Sequence, residues 1–500
     1  NPGDTVYIRG GEYLMDESDI SHVEQNLFAC VSFFDKSGQA GQRIKYWAYP
    51  GETPVFDFSA VKPNGFRIVG LWVEGDYIHI KGLEITGIQV TITSHTESYC
   101  IYSWGNHNIF ENISMHDNVG TGLRHRKGGY NLFLNCDAYR NHDNVSEDQR
   151  GGNTDGFGCH PTAGGKGNVF RGCRAWFNSD DGFDCIRSDE AILFDSCWAF
   201  YNGYSTQFES LADGNGFKAG GYAYDEASKI PDPVPVNTIR FCLTVNNKNN
   251  GFYSNHHLAG NKWYNNSAFK NGVNYNMVNR ESPQSQDINV DGYDHILKNN
   301  LSYRARGRET DYIDTSRCIL ENNSFYSPIT VSEADFVSLN EDSLTAPRKA
   351  DGSLPDIDFM KLDSTSNLID KGVDLGFSYC GKAPDLGAFE YKTIPDTASG
   401  NEPSDTIPDT EPGDSLNDTI NYIHPHKASL RIYPNPVRDF LFINRNHYRS
   451  INLMDLEGNT YDPLIKRNKL NVSMLPEGIY ILKVWLNNKK SVTRKFVKKE

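Results

Sequence analysis

The sequence lacks several features that would assign it to other classes of protein. No apolar run approaches the roughly 18 to 20 residues that a membrane-spanning helix needs, so no membrane span is expected. Basic residues are not in excess: the formal net charge is −15, which argues against a nucleic-acid partner because phosphate recognition needs a clustered basic surface. No paired C-x-x-C or H-x-x-x-H spacing occurs, which argues against zinc. Helical periodicity is scarce over residues 1 to about 100.

Glycine, tyrosine and phenylalanine are plentiful instead. The 500 residues include 44 Gly, 27 Tyr and 27 Phe at 38% hydrophobic content, which permits a large core and more than one domain. The chain begins on N-P-G-D-T-V-Y-I-R, so we expect that any signal peptide has been removed or lies outside this sequence.

Short β-strands recur at a regular interval from about residue 106 onward. Cysteine occupies one position of the repeat four times, and asparagine continues the register at a spacing of 23 or 24 residues wherever no longer loop intervenes. This column consists of Asn112, Cys136, Cys173, Cys197, Cys242, Asn266, Asn300 and Asn323. Such short strands with Asn or Gly corners predict an all-β fold, a right-handed parallel β-helix. The ten cysteines would then include a buried ladder of thiols rather than a set of disulfides.

A second asparagine column follows five residues after the first. Its members are Asn141, Asn178, Asn202, Asn247 and Asn271. Because asparagine tolerates the left-handed backbone conformation, we expect these residues to form the sharp bends between strands.

Composition divides the chain into three parts. Residues 1–391 form the predicted β-helix, whose repeat loosens after Phe325 into a helical or irregular cap over the open end of the solenoid. Residues 392–428 are rich in Pro, Thr, Ser and Asp, as is typical of a solvated linker. Residues 429–500 predict a small antiparallel β-sandwich with a hairpin at Asn487 and Asn488.

Three related phrases between Asn153 and Gly221 mark the candidate site. They read N-T-D-G-F, S-D-D-G-F-D and G-N-G-F-K-A-G-G, and aligning their Gly-Phe pairs places them on consecutive coils. Strand alternation then turns the phenylalanines into the core and turns a column containing Asp184 and Lys218 towards solvent. The same alignment gathers four carboxylates on two adjacent coils: Asp155, Asp180, Asp181 and Asp184.

Four carboxylates so close together would repel one another unless a cation lay between them. Calcium accepts six to eight hard oxygen ligands in loose geometry and suits such a cluster better than zinc or magnesium. The alternative interpretation is that D-G and N-G are only turn residues. Lys218 lies one coil beyond Asp184, where calcium would favour the neutral amine and Asp184 would oppose it. Its alternative interpretation is an ordinary surface ion pair.

These phrases resemble the calcium site and catalytic lysine of polysaccharide lyase family 9, the parallel β-helix pectate and rhamnogalacturonan lyases. The resemblance covers roughly residues 1–391. It implies calcium bound by four aspartates, which Asp155, Asp180, Asp181 and Asp184 match, and a catalytic base, which Lys218 matches. It further implies β-elimination on a galacturonate-containing pectin chain, leaving a 4,5-unsaturated end.

Two arginines are candidates for binding a second substrate carboxylate. Arg124 and Arg187 lie on or near the predicted outward column, and guanidinium groups bind carboxylates through paired hydrogen bonds. Both homogalacturonan and rhamnogalacturonan I carry the galacturonate that such a site would bind, so the sequence leaves the choice between them open, together with endo or exo action.

The stretch from Leu430 to Glu500 resembles the sorting domain of type IX secretion substrates. The phrases that carry the resemblance are Y-P-N-P-V, D-L-E-G-N, L-P-E-G-I-Y-I-L-K-V and the closing K-F-V-K-K. It implies a bacterial protein passed by secretion machinery to the cell surface or the medium, and a periplasmic location stays open. The alternative is a small carbohydrate-binding sandwich. We expect a monomer whose partner is an acidic plant polysaccharide, pectin.

Two other functions fit a parallel β-helix with acidic coils. A polygalacturonase-type hydrolase also carries N-T-D followed by D-D, and it needs one carboxylic acid and one carboxylate across a water. Such a hydrolase also has G-H-G and R-I-K on the following coils, whereas this sequence has G-F-K-A-G-G there and its R-I-K lies far upstream, at Arg43 to Lys45. The second alternative is a non-catalytic, calcium-stabilised β-helix that only binds polysaccharide.

Overall fold

The chain divides into two compact units, one containing the described residues up to 392 and one containing those from 432 onward. The structure, a computed structural model, describes residues 1–94, 97–146, 149–222, 227–280, 288–392, 432–433, 437–443, 450–455, 459–461, 465–466, 469–485 and 491–499. The predicted boundaries at 391, 392 and 428 stay predictions, because nearly all of the linker and the hairpin at Asn487 and Asn488 lie outside the described residues.

Three long sheets make up the first unit, and the chain contributes one strand to each sheet in turn. Sheet 1 contains Thr5–Ile8, Ile44–Ala48, Ile78–Lys81, Ile109–Glu111, Leu132–Leu134, Asn168–Arg171, Ile192–Asp195, Thr238–Arg240, Lys262–Tyr264, Ile296–Lys298 and Ile319–Glu321. Sheet 2 contains His22–Glu24, Phe28–Phe34, Arg67–Val73, Tyr99–Ser103, Thr121–His125, Phe157–Cys159, Phe183–Asp184, Phe217–Lys218, Asn250–Tyr253, Val273–Asn276 and Arg308–Asp311. Sheet 3 contains Gly11–Asp16, Pro54–Ala60, Glu84–Thr86, Ser114–His116, Asp137–Tyr139, Arg174–Trp176, Trp198–Phe200, Leu243–Val245, Ser267–Phe269 and Leu301–Tyr303.

The prediction of an all-β, right-handed parallel β-helix is confirmed. Neighbouring strands pair in parallel within each sheet, except that His22–Glu24 runs antiparallel to Phe28–Phe34. Inward side chains of like kind stack from coil to coil, as Phe133 does on Phe170 at a ring-centroid distance of 4.3 Å. The predicted cysteine ladder is also present: Cys136, Cys173, Cys197 and Cys242 are fully buried free thiols.

One end of the cysteine column was placed one residue out of register. Leu134 pairs with Glu111 and Asp137 pairs with Ser114, so the partner of Cys136 is Ile113 and not Asn112. Asn112 instead has φ 53° and occupies the bend position before the column. The repeat lacks a cysteine at this end. Only the pairing of the strands therefore shows whether Asn112 or Ile113 belongs to the column.

The second asparagine column does not form the bends, contrary to the prediction. The left-handed residue at each bend is the one before the asparagine, as at Arg140 with φ 54°, Phe177 with φ 53° and Tyr201 with φ 60°. The asparagines instead donate side-chain hydrogen bonds to one another along the helix, as Asn178 does to Asn202 at 3.0 Å. Such a ladder satisfies amides that are buried between coils, which explains why asparagine recurs there.

The segment after Phe325 packs against sheet 3, and its role as a cap over the open end of the solenoid stays a prediction. The short 3₁₀ helix Ser324–Tyr326 spans the start of this segment, Glu333–Asp335 and Glu341–Thr345 lie within it, and Glu17–Asp19 and Ala227–Lys229 lie elsewhere. Phe336, Leu344 and Phe359 form one apolar cluster with outward side chains of sheet 3, including Trp176 and Phe200. A short antiparallel pair, Asn279–Arg280 with Asn289–Val290, is separate from the three sheets.

The second unit contains two four-stranded antiparallel sheets, as predicted for a small β-sandwich. One contains Ile432–Tyr433, Phe440–Ile443, Lys469–Asn471 and Ile465–Lys466; the other contains Thr460–Tyr461, Ser450–Asp455, Gly478–Trp485 and Ser491–Lys498. Leu441 and Leu470 from one sheet share a buried core with Leu453, Leu482 and Phe496 from the other.

Candidate active site

The three phrases occupy consecutive coils of sheet 2 in the predicted register. Phe157, Phe183 and Phe217 pair with one another across the sheet, and their rings stack inside at centroid distances of 5.0 and 4.7 Å. On the opposite face Asp184 pairs directly with Lys218. Period-two alternation thus brings a carboxylate and an amine from neighbouring coils together on the outward column.

The coils stack so closely that the position immediately before each paired phenylalanine has room only for glycine, as Gly182 illustrates. A Cβ atom at Gly182 would lie 2.8 Å from the carbonyl oxygen of Gly216 and 2.9 Å from Nδ2 of Asn202. Side chains do not approach so closely, so only glycine fits between these coils. The D-G phrase is therefore a requirement of coil packing and not only a turn signal, and it holds the preceding Asp181 at the edge of the site.

Three of the four predicted carboxylates converge. Asp155, Asp181 and Asp184 are buried, and each offers one oxygen within 4.8 Å of the others. Backbone amides orient two of these carboxylates: Oδ1 of Asp155 accepts from the N–H of Asp181 at 3.1 Å, and Oδ1 of Asp184 accepts from the N–H of Ile186 at 2.7 Å. Oδ1 of Asp181 accepts from both nitrogens of Asn215 at 2.7 and 2.8 Å. We call these three residues the acidic triad.

Asp180 lies outside the acidic triad. Its Oδ2 accepts from the N–H of Asn153 at 2.7 Å and its Oδ1 from the N–H of Asp213 at 3.1 Å, so both oxygens already bind backbone amides. The residue is buried and close enough to affect its neighbours electrostatically. Its role as a fourth metal ligand stays a prediction.

Lys218 faces outward as predicted, but into a recess rather than into open solvent. Its Nζ lies 3.1 Å from Oδ2 of Asp181 and 3.1 Å from Oδ2 of Asp184, and its side chain is only 14% exposed. Burial lowers the pKa of Lys218, but attraction to Asp184, Asp181 and the other nearby carboxylates outweighs this and raises the pKa well above its ordinary value. Among these protein groups alone, the amine is a cation.

The donor set fits a hard divalent cation. Oδ2 of Asp181 is fully buried and has no hydrogen bond of acceptable geometry, although Nζ of Lys218 is near. Three converging carboxylates supply the oxygen ligands that calcium prefers and lack the sulfur and imidazole ligands typical of zinc. Asp155, Asp181 and Asp184 are therefore the residues that could hold such a cation.

Burial, followed by crowding of negative charge, raises the pKa of several site carboxyl groups. Burial and then repulsion from Asp184 raise the pKa of Asp155 well above its ordinary value, and burial also raises the pKa of Asp181. Burial and then repulsion from Asp181 raise the pKa of Asp180 to about 8. Each of these carboxyl groups binds its proton more tightly in the folded protein than in the unfolded chain.

In protein treated with a chelator, we expect the melting temperature to rise when the pH is lowered from about 8 to about 5. Between the unfolded and folded pKa values the folded state binds more protons, so stability falls as the pH rises through that window. For Asp180 the window extends from 3.8 to about 8. One proton changes stability by about 1.4 kcal/mol per pH unit, which amounts to several degrees. Differential scanning calorimetry with chelator and with saturating calcium measures the difference; an equal pH slope in both would contradict this account.

The two predicted arginines have different surroundings. Arg124 lies on the outward column, but its guanidinium forms an ion pair with Glu97 and a 3.2 Å hydrogen bond to the hydroxyl of Tyr99. Arg187 is exposed in the turn that follows Ile186, with φ 57°. Binding of a substrate carboxylate by either arginine stays a prediction.

The sequence reasoning missed His160, which follows the strand Phe157–Cys159. It lies two residues after Gly158 and thus on the same outward face, beside the coil of Asp184. The alternation that identified Asp184 and Lys218 could have identified it as well. The histidine went unnoticed because it lies after the Gly-Phe phrase on which the coils were aligned.

A β-helix in which an amine lies against a buried carboxylate cluster on one outward column points to a lyase of the β-helix class. Comparison with known families supports this, since residues 1–300 match the family described as Pel9A-like, right handed beta helix region. The chain belongs to this family and is a polysaccharide lyase. Residues 431–499 match the secretion system C-terminal sorting domain, which implies export to the cell surface or the medium. Within the described residues, no helix is both long and apolar enough to cross a membrane.

Similar proteins cover about three quarters of the chain. Pectate lyase L of Dickeya dadantii (strain 3937) is 35% identical over 395 residues, which are 78% of this chain and 83% of the relative. A solved rhamnogalacturonan lyase is 42% identical with a TM-score of 0.70, covering 73% of this chain and 90% of that one. The crystal structure of pectate lyase Pel9A is 33% identical with a TM-score of 0.63, covering 78% and 89%.

Proposed function

We propose that the protein is a calcium-dependent lyase that cleaves a galacturonate-containing pectin backbone by β-elimination. The observation that carries this proposal is the placement of Lys218 Nζ 3.1 Å from two oxygens of the acidic triad on the outward column. Once its amine is neutral, a lysine in that position can take a proton from a substrate held at a cation that the triad binds. The pectate and rhamnogalacturonan lyases to which the chain is similar support the same substrate class.

Asp155, Asp181 and Asp184 would hold the metal, with Asp180 as the proposed fourth ligand. When bound, calcium would offset the carboxylate charge and withdraw electron density from the substrate carboxylate, which acidifies the neighbouring C5 proton. The backbone amides of Asp181 and Ile186 each donate to a single oxygen, Oδ1 of Asp155 and Oδ1 of Asp184, and so keep these two carboxylates oriented.

Lys218 acts as the general base in this proposal. Its neutral amine accepts the C5 proton of galacturonate, the C5–H electron pair forms the C4–C5 double bond, and the C4–O bond breaks with its electron pair on the departing sugar oxygen. Water supplies the proton that this oxygen takes up, and the hydroxide that remains takes the proton from Lys218, so water and the neutral amine are both regenerated. The attraction of Asp181 and Asp184 for the ammonium form must weaken before Lys218 can act, which links the base to the charge state of the acidic triad.

Incubation with polygalacturonate and with rhamnogalacturonan I tests the proposal. We expect the ultraviolet absorbance of a 4,5-unsaturated product to rise with at least one polymer, to stop on addition of a chelator and to return with calcium. New reducing ends without that absorbance would mean hydrolysis. Polymer binding without either product would mean a non-catalytic module. The polymer that reacts also identifies the backbone that the sequence left open.

A further inference from the structure

His160 places a ring nitrogen at the one position of the outward column that has no side chain. Gly158 lies between Arg124 and Asp184 in the pairing of sheet 2. A Cβ atom at Gly158 would lie 2.8 Å from Nε2 of His160, so this nitrogen fills the space that a side chain would otherwise take. The histidine itself is only 4% exposed.

The surroundings of the ring determine which nitrogen carries the proton. Nδ1 of His160 lies 2.7 Å from the carbonyl oxygen of Ile186, which can only accept a hydrogen bond, so Nδ1 donates. Burial, with a further contribution from the charge of Arg124, lowers the pKa of His160 to about 3, so the ring is neutral near neutral pH. A neutral ring that donates through Nδ1 has a lone pair and no proton on Nε2.

Nε2 has no hydrogen-bond partner in the part of the chain that the structure describes, and it is not among the fully buried polar atoms. Ile186 connects this ring to the acidic triad: its carbonyl oxygen accepts from His160, while its N–H donates to Oδ1 of Asp184. The ring is therefore held through Nδ1 to the residue that also orients Asp184, and its Nε2 lies over Gly158, the strand partner of Asp184.

We propose that His160 is a substrate-binding residue whose Nε2 accepts a hydrogen bond from a sugar hydroxyl of the polymer bound at the acidic triad. The inference rests on the proposed function for the identity of the polymer. A lone pair without a proton selects a donor, and a pyranose hydroxyl is a donor whereas an ionised carboxylate only accepts. Calcium prefers oxygen ligands, which separates the role of His160 from that of the triad.

Two substitutions separate the acceptor from the structural hydrogen bond. In His160→Asn the amide nitrogen can still donate to Ile186, as Nδ1 does, while the acceptor at Nε2 is lost. In His160→Gln the longer side chain can present an amide oxygen near the position of Nε2, while the donation to Ile186 is lost. His160→Asn therefore keeps the donation to Ile186 and loses the acceptor, whereas His160→Gln keeps an acceptor and loses the donation.

We expect His160→Asn to raise KM for the reactive polymer about tenfold, the effect of one lost hydrogen bond, with kcat within about twofold. Calcium affinity and melting temperature should match the wild type, and His160→Gln should keep KM within about threefold. An unchanged KM in His160→Asn, an equal rise in both variants, or a melting temperature several degrees lower in His160→Asn would overturn the assignment.

A binding measurement distinguishes failure of this inference from failure of the proposed function. If the wild type forms no unsaturated product, the proposed function is wrong, and calorimetric titration with polygalacturonate or rhamnogalacturonan I still compares the two variants. Weaker polymer binding by His160→Asn but not by His160→Gln supports the acceptor role. Equal binding by the wild type and both variants contradicts it.

Discussion

Replacing Lys218 by alanine should reduce kcat by about 10³-fold or more, because a general base contributes roughly 10² to 10⁴ to the rate and no second amine is proposed for the step. The initial rate of unsaturated product formation measures the loss. Since Lys218 does not belong to the acidic triad, the variant should still bind calcium. Isothermal titration with calcium checks that the site itself remains intact.

A second readout of Lys218→Ala does not depend on activity. The amine lies between Asp181 and Asp184, so its removal leaves buried carboxylates without a counter-charge. Breaking a buried ion pair from one side costs about 3 to 5 kcal/mol, so the variant should melt earlier in chelator and recover with calcium. Lys298→Ala, which removes the amine of a partly exposed pair with Glu321 on sheet 1, is the matched control. Comparable activity of Lys218→Ala and wild type would refute the assignment of the base.

Asp155→Asn should have two effects of opposite sign. Calcium affinity should fall by at least about 10²-fold, because even the partners that orient metal ligands contribute roughly 10 to 100-fold. In chelator, however, the variant should be more stable than the wild type, because burial and then repulsion from Asp184, Asp180 and Asp181 disfavour the ionised carboxylate that the folded protein would otherwise have to neutralise. Calcium titration and calorimetry in chelator measure the two effects separately.

Asp180→Asn distinguishes the four-aspartate metal site predicted from the sequence from a site made only of the three residues that converge in the structure. Asp180 is also buried with a raised pKa, but its oxygens already accept from Asn153 and Asp213. If only the three converging residues bind the metal, Asp180→Asn should weaken calcium binding by less than about tenfold. A loss equal to that of Asp155→Asn would establish Asp180 as the fourth ligand. Greater stability of Asp155→Asn without weaker calcium binding would contradict the metal site.

Much of the fold was predictable because a solenoid repeats its own register. Each strand pairs with the strand one coil away, so aligned phrases in the sequence become neighbours in space, as Phe183 and Phe217 do. Errors arose where the repeat is degenerate, as at Asn112. The asparagine ladder was misread because asparagine favours both tight bends and buried side-chain hydrogen bonds, and the sequence does not distinguish these two uses.

The sequence by itself determined the parallel β-helix, the inward phenylalanines and the pairing of Asp184 with Lys218, since strand periodicity and repeat length suffice for these. Only the tertiary structure decided that both oxygens of Asp180 accept from backbone amides, that Lys218 is enclosed, and that Nδ1 of His160 meets a carbonyl oxygen. Two of these outcomes depend on a partner far away in sequence. The partner of Asp180 is the N–H of Asp213, and the partner of His160 is the carbonyl of Ile186. Local pattern fixes which face a side chain takes, whereas its hydrogen-bond partners are fixed only when separate coils pack together.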